Sequence, residues 1–299
     1  MTDENFKCGY IAIIGRPNMG KSTLLNHMLG LKLSITSRKP QTTRHQIMGV
    51  KTVDNGQFIF VDTPGIHSGG NRAINRYMNR AASSVIQDVD VVLFLVQALK
   101  WTDEDELVLK KLENLDAPVV LVVNKVDKIS DKDQLLPFIS EISEKYQFAN
   151  VIPVSATKGD NVEQLESYLL TQLPEAPPFF QDDEFTDRST RFLAAEIIRE
   201  KLVRELGNEL PYQTTVEIER YKDEEKITRI HALILVETKG QKVIVIGDKG
   251  ARLKSIGTKA RKDIEALIDR KVFLQLWVKV KSGWSDSEAS LRSLGYDAD

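Results

Sequence analysis

Gly15-Arg16-Pro17-Asn18-Met19-Gly20-Lys21-Ser22 leaves this chain little freedom. It fits G-x-x-x-x-G-K-[S/T], a loop that wraps phosphate when a buried strand precedes it and a helix comes after. Both flanks are present. Tyr10 to Ile14 is an apolar run that reads as a strand, and Ser22 to Leu29 reads as the first turns of a helix. Glycines let the backbone close around an anion, and successive N–H groups at a helix start face it with partial positive charge. Lys21 is expected to reach the outer phosphates, and the Ser22 hydroxyl to ligate magnesium.

Beyond the loop, strands and amphipathic stretches alternate to about residue 173. The apolar runs are Phe58 to Val61, Val91 to Val96, Val119 to Val123 and Val151 to Val154, with a weaker strand from Gln46 to Val53. Asp54-Asn55-Gly56 is a hairpin signal between that strand and the next. The expected fold is α/β, a mostly parallel sheet with helices on both faces and one antiparallel pairing. Ligands in such sheets sit at the carboxyl ends of strands.

Three further motifs fall at those ends. In Val61-Asp62-Thr63-Pro64-Gly65, the Asp62 carboxylate is placed to hold magnesium through a water, and the Gly65 N–H to meet a terminal phosphate. In Asn124-Lys125-Val126-Asp127, Asp127 would accept from the ring N–H and exocyclic amine of guanine, donors adenine lacks in that arrangement. A site built on such bonds rejects the analogue lacking them by orders of magnitude. The Lys125 stem would cover the base, and Asn124 would tie loops together. In Val154-Ser155-Ala156-Thr157, small residues let backbone N–H groups approach the guanine oxygen.

No hydrophobic period covers Ser34 to His45, so this polar stretch is expected to order on binding. Thr43 is the preferred second hydroxyl for magnesium, with Thr42 its competitor. Asn18, Lys21, Thr43 and Gly65 are then the candidates for contact with the reacting phosphate. A glutamine after the D-x-x-G glycine often orients the attacking water. Here Ile66 stands there, and His67 is one residue off. Either backbone and magnesium position the water, or a monovalent cation supplies charge.

At 299 residues the chain is long enough for a second domain. Net charge is −2, yet residues 240–283 hold eleven Lys or Arg against four Asp or Glu. That asymmetry suggests a polyanion partner at this end. Cys8 is the one cysteine, which excludes an internal disulfide and suits a reducing compartment. The N-terminus is acidic, unlike a signal peptide, and no run approaches the ~20 apolar residues that span a bilayer. The four histidines lie scattered, without zinc spacing.

Leu173-Pro174 to Pro178 ends the last helix of the first domain, and a charged linker comes next. The expected division is 7–173, a linker at 174–190, a second domain at 191–283 and a tail at 284–299. Arg191 to Leu206 has apolar residues at Phe192, Ala195, Ile198, Leu202 and Leu206, one face of a helix. Tyr212–Tyr221 and Arg229–Val236 read as a hairpin around Asp223-Glu224-Glu225. Val272 to Val280 reads as a last strand, with Phe273 and Trp277 placed in the core or at its edge. Val243 to Ile246 has strand propensity. Gly247-Asp248-Lys249-Gly250 then precedes a basic helix carrying Arg252, Lys254, Lys259, Arg261 and Lys262.

GRPNMGKS, QTTR, DTPG, NKVD and SAT, with a basic module after them, resemble the translation-factor-like GTPases and most closely the Era family, over essentially the whole chain. The second domain resembles a type-2 KH domain, ordered helix, strand, strand, helix, helix, strand, which makes Lys242 to Ile246 a helix against its propensity. The resemblance implies a P-loop GTPase domain and an α+β KH domain, GTP or GDP with magnesium, and slow hydrolysis that potassium stimulates; related GTPases use a loop asparagine as a potassium ligand, and Asn18 sits at that place. The Gly247–Gly250 loop would clamp a short single strand, with Lys249, Arg252 and Lys254 on phosphates. The implied partners are 16S rRNA near its 3′ end and the 30S subunit. The implied setting is a cytoplasmic monomer, partly at the inner membrane. No aromatic RNP-type motif points to an RRM. A nucleotide-gated RNA-binding factor with negligible hydrolysis is the alternative. A P-loop kinase or ATPase is a third class, against which Asn124 to Asp127 argues.

Overall fold

The computed structural model describes residues 6–37, 39, 42–65, 72–206 and 213–296. These belong to two units. The first comprises Met1–Ser34, Thr43–Gly70 and Asn75–Asp187, and the second Ile35–Thr42, Asn71–Ile74 and Arg188–Asp299.

In the first unit, apolar runs become strands and the amphipathic stretches between them become helices. The order is β1 (Lys7–Ile14), α1 (Lys21–Leu29), β2 (Ile47–Val53), β3 (Gly56–Asp62), α2 (Ala73–Ser84), β4 (Val91–Gln97), α3 (Asp103–Lys110), β5 (Val119–Asn124), α4 (Leu135–Ser143), β6 (Asn150–Val154) and α5 (Val162–Gln172). They form a six-stranded sheet in the order β2-β3-β1-β4-β5-β6. Every pairing is parallel except β2 with β3, whose antiparallel register runs from Ile47 opposite Asp62 to Val53 opposite Gly56.

The period of two explains the layers. Ile11, Ile13, Leu93, Leu95, Val120 and Val122 face α1 and α5, whose Leu24, Leu25, Met28, Leu165 and Leu169 complete one core. Ala12, Ile14, Val92, Phe94, Leu121 and Val123 face α3 and α4. A strand buried on both faces reads as an unbroken apolar run, as β4 and β5 do. The carboxyl ends Ile14, Asp62, Asn124 and Val154 all lie at one edge, so each motif opens there.

The second unit holds α6 (Thr190–Glu205), β7 (Thr214–Asp223), β8 (Thr228–Val236), α7 (Lys239–Ile246), α8 (Ala251–Ile268), β9 (Val272–Val280) and α9 (Glu288–Ser293). β7 pairs antiparallel with β8, and β8 pairs parallel with β9. Helices cover one sheet face, with Ile198, Leu202, Val245, Ile256, Ala260 and Ile264 packed on Ile230, Ala232, Ile234 and Val272. Trp284, Leu291 and Tyr296 of the tail are buried.

Three sequence expectations need correction. The spacing in α6 predicts one buried apolar face, yet the helix also buries Glu196, Arg199, Glu200 and Lys201. The reason lies in Ile35–Thr42, which belongs to the same unit: Thr36 N–H donates to Glu200 Oε1 at 3.1 Å, and Lys39 Nζ donates to the Val203 carbonyl at 2.6 Å. The polar stretch Ser34 to His45 is the second correction: Ser34, Ile35, Thr43, Arg44 and His45 of it are buried. Phe273 and Trp277 are the third correction. They are 41% and 40% exposed, because β9 turns Val272 and Val278 inward and its alternate residues out. The helix implied for Lys242 to Ile246 is present, closed at its start by a Thr238–Gln241 capping box.

Candidate nucleotide site and nucleic-acid interface

The phosphate loop joins β1 to α1 and is anchored from three directions. Asn124 Nδ2 donates to the Met19 carbonyl at 2.7 Å, and Arg16 Nε meets both Asp105 oxygens at 2.9 and 3.0 Å. Lys21 Nζ lies inside the loop, donating to the Gly15 and Arg16 carbonyls at 3.0 and 3.2 Å. Burial pulls the Lys21 pKa down to about 8, against the opposing pull of Asp62. A phosphate supplies the countercharge that this buried ammonium favours. Gly20 has φ 100°, and a Cβ there would stand 2.4 Å from Asn124 Nδ2. Gly65 touches the loop from the other side, with space for a Cβ closed 2.8 Å from Pro17 N. Thr63 Oγ1 donates to the Ile13 carbonyl at 2.9 Å, fixing the D-T-P-G turn, and Pro64 is buried. Ile66 and His67 lie outside the described residues.

Oxygen atoms converge beside Lys21. Ser22 Oγ is 2.8 Å from Thr43 Oγ1 and donates to Asp62 Oδ2 at 2.7 Å. Ser34 Oγ donates to that same oxygen at 2.7 Å, while Asp62 Oδ1 is buried without a partner. Burial pushes the Asp62 carboxyl above its ordinary range, with Lys21 and the hydroxyls of Ser22, Ser34 and Thr43 pulling it back. A small hard dication takes such oxygen ligands, and an orphaned carboxylate oxygen has use for one. The donor set therefore fits magnesium. Thr42 turns away, its Oγ1 donating to the Lys39 carbonyl at 2.6 Å; Thr43 is the threonine that meets Ser22.

The base-reading motifs come together around Asn124. Its Oδ1 accepts from Ala156 N at 3.0 Å and from Lys125 N at 2.7 Å. One buried amide thus links the phosphate loop, the N-K-V-D turn and the S-A-T turn. Ser155 Oγ donates to Asp127 Oδ1 at 2.7 Å, orienting that carboxylate. Lys125 sits at φ 68°, and its Nζ donates to the Asn18 carbonyl at 2.7 Å and to Gln97 Oε1 at 3.1 Å. Burial, then nearby Lys128 and Arg16, lowers the Lys125 pKa. Val126 packs against the sheet core. Asn18, at φ 65°, is exposed.

In the second unit the G-x-x-G turn joins α7 to α8. Gly247, Lys249 and Gly250 all have positive φ, at 74°, 45° and 82°. Asp248, Lys249 and Lys254 are exposed, while Arg252 Nη1 donates to the Ile244 carbonyl. Lys259 pairs with Glu205 at 2.7 Å and Arg261 with Glu265 at 2.9 Å, so part of their charge is answered within the unit. Beside the loop, Val243 and Ile244 are 68% and 43% exposed, an apolar surface next to cations.

Comparison with known proteins agrees with both halves. The 50S ribosome-binding GTPase family matches residues 10–125, and the KH domain family matches residues 209–285. GTPase Era of Pseudomonas fluorescens strain Pf0-1 is 58% identical over 297 residues, covering 99% of each chain. The chain belongs to the Era family of GTPases. GTPase Era of Pseudomonas aeruginosa PAO1 is likewise 58% identical, over 97% of this chain and 95% of that protein. Two solved Era structures each superpose with a TM-score of 0.95 at 40% identity, over 98% of this chain and 100% of theirs. One is Era in complex with MgGDPNP and nucleotides 1506–1542 of 16S ribosomal RNA. The other is an Aquifex aeolicus Era variant bound to GDP·AlF4−.

Several residues of this Era-family site carry no local signal in the sequence. Ser34 shares the Asp62 oxygen with Ser22, but it stands in a stretch without periodicity. Asp105 grips Arg16 from a helix 89 positions away, and no local pattern links the two. Val243 and Ile244 carry an ambiguous propensity, and only the helix reveals which of them face outward.

Proposed function

We propose that this chain is a GTP-hydrolysing switch that binds small-subunit ribosomal RNA near its 3′ end through its KH domain and assists maturation of that subunit. The observation that carries the reading is the Asn124 junction, where one buried amide ties the phosphate loop to the S-A-T turn, whose Ser155 hydroxyl orients the Asp127 carboxylate. The Era complexes with MgGDPNP and 16S RNA, and with GDP·AlF4−, support the same assignment for a chain this similar.

In this reading Asp127, Ser155 and Ala156 read guanine, with Lys125 over the base. The backbone of Gly15, Arg16, Pro17, Asn18, Met19 and Gly20 cradles phosphates. Lys21 and the Gly65 N–H meet the outer ones. Ser22, Thr43 and Asp62 would hold magnesium, which would supply positive charge against the phosphates. Asn18 would hold potassium, which would supply the positive charge that an arginine finger supplies in other GTPases. Gly247, Asp248, Lys249 and Gly250 clamp the RNA backbone, with Arg252 and Lys254 on phosphates.

The domain limits 7–173 and 191–283, the monomeric state, and a cytoplasmic setting with peripheral attachment to the inner membrane also belong to this reading. No helix among the described residues is long and apolar enough to cross a membrane. The test is base specificity. Asp127→Asn should lower GTP affinity by about two or more orders of magnitude and raise that for xanthosine triphosphate. Unchanged preference in competition binding would remove the base assignment.

A further inference from the structure

Among the described residues, the sheet of the second unit has a face that α6, α7 and α8 do not cover. Strand alternation places Phe273, Gln275, Trp277 and Lys279 of β9 on it. The parallel register sets Arg229 beside Phe273, His231 beside Gln275 and Leu233 beside Trp277. The antiparallel register adds Arg220 beside His231 and Lys222 beside Arg229. At the far end the tail closes the face: Leu235 is 2% exposed, and Tyr296 hydroxyl lies 3.1 Å from Thr215 Oγ1, on the residue paired with Leu235. The rest is open.

Its composition is unusual for an open sheet face, which is normally polar. Phe273 and Trp277 are each about two-fifths exposed. His231 stands between them, its ring centroid 6.5 Å from Phe273 and 5.4 Å from Trp277, at interplanar angles of 64° and 67°. The edge-on packing braces the three rings against one another. The Arg229 guanidinium lies over Phe273 at 5.2 Å and is steadied by Glu224 at 2.9 Å. Arg220, Lys222, Arg229 and Lys279 are cations at register positions on this face; Glu217 is a carboxylate on it, and Glu224 pairs with both Arg229 and Lys222.

We propose that this open sheet face is a second single-stranded RNA surface, on which bases stack against Phe273, His231 and Trp277 while Arg220, Arg229 and Lys279 meet phosphates. Aromatic rings on a sheet flanked by cations bind single strands with little sequence preference, since every base has a π-face. Charge complementarity favours a polyanion, and rings set among cations fit single-stranded nucleic acid, which presents bases and phosphates together, over an acidic protein surface, which presents charge alone. The face lies on the opposite side of the sheet from α7, α8 and the Gly247–Gly250 loop, so it engages a different stretch of strand. The proposal rests on the RNA-binding reading above.

The test uses the full-length protein and fluorescein-labelled oligouridine and oligoadenosine, monitored by anisotropy, with ultraviolet crosslinking and peptide mapping. Phe273→Ala and Trp277→Ala should each weaken binding about fivefold or more, the loss of one base stack. Trp277→Phe should retain most of the affinity. Trp277→Leu, which keeps apolar bulk without a ring, should not. Crosslinks are expected on both the 272–280 and 247–254 peptides. Circular dichroism and the thermal midpoint check the fold, with the Leu and Phe variants deciding if an Ala variant is unstable. Full affinity in the sheet variants, with crosslinks and losses confined to Lys249→Ala and Arg252→Ala, overturns the proposal and leaves the face to a protein partner. If the parent protein binds neither oligonucleotide, the proposal and the RNA-binding reading fall together.

Discussion

Asn124 concentrates more of the nucleotide site than any other side chain. Its amide nitrogen serves the Met19 carbonyl and its oxygen serves Ala156 N–H, both across long sequence separations, at 2% exposure. A buried donor or acceptor left without a partner costs about 1–3 kcal/mol. Asn124→Ala is therefore expected to lower unfolding free energy by about 2–5 kcal/mol by urea titration. It should weaken fluorescent GDP binding more than about tenfold, because two loops lose their common anchor, each bond being worth about 1 kcal/mol or more. A stable variant with intact affinity would show the junction to be ornamental. Asn18 makes a narrower prediction. Its side chain is exposed beside a backbone held at φ 65°. Turnover by the parent protein should rise in potassium over sodium, and Asn18→Ala should abolish the difference while GDP affinity holds within about threefold, a free-energy change under about 1 kcal/mol. Equal rates in both salts end the potassium assignment.

Element by element, legibility in the sequence depended on whether burial keeps to a single period. β4 and β5 are read correctly because both faces are covered and every core position is apolar. α7 shows the limit: Val243-Ile244-Val245-Ile246 has the propensity of a strand, yet a capping box starts a helix and only Val245 becomes fully buried. The motif residues are legible because their chemistry is local to short loops. Ser34 and Asp105 are not, because tertiary contact alone gives them a role. α6 fails for a related reason. Its buried charges form a network in which Glu200 accepts from Thr36 N–H at 3.1 Å, Arg204 at 2.9 Å and Lys201 at 3.0 Å, and Arg199 pairs with Glu196 at 2.6 Å. Removing one partner of a buried pair leaves uncompensated charge, at about 3–5 kcal/mol. Glu200→Ala should thus destabilise the protein by about 3–5 kcal/mol in thermal or urea unfolding. Glu217→Ala, exposed on β7, is the control and should change stability by no more than about 0.5 kcal/mol. Equal effects from the two would mean the network contributes nothing beyond an exposed pair.

At the scale of the whole molecule, charge is divided along the chain: the total is −2, while residues 240–283 hold eleven Lys or Arg against four Asp or Glu. That excess is distributed between two uses. Lys259 and Arg261 hold Glu205 and Glu265, ion pairs that help bind the unit together. Lys249 and Lys254 stand exposed at and just beyond the G-x-x-G turn. Of these two pairs, only Lys249 and Lys254 are expected to exchange counterions for RNA phosphates. For single strands, each phosphate neutralised contributes about −0.7 to the slope of log affinity against log salt. RNA binding by the parent protein should therefore weaken steeply between low and physiological salt. Lys249→Ala and Lys254→Ala should each make the slope shallower by about 0.7. Lys259→Ala should leave the slope unchanged and lower the unfolding midpoint instead. Anisotropy titrations at several salt concentrations, with thermal unfolding of the same variants, separate the two groups. A slope that falls as much for Lys259→Ala as for Lys249→Ala would place the RNA along the whole of α8 rather than at its start.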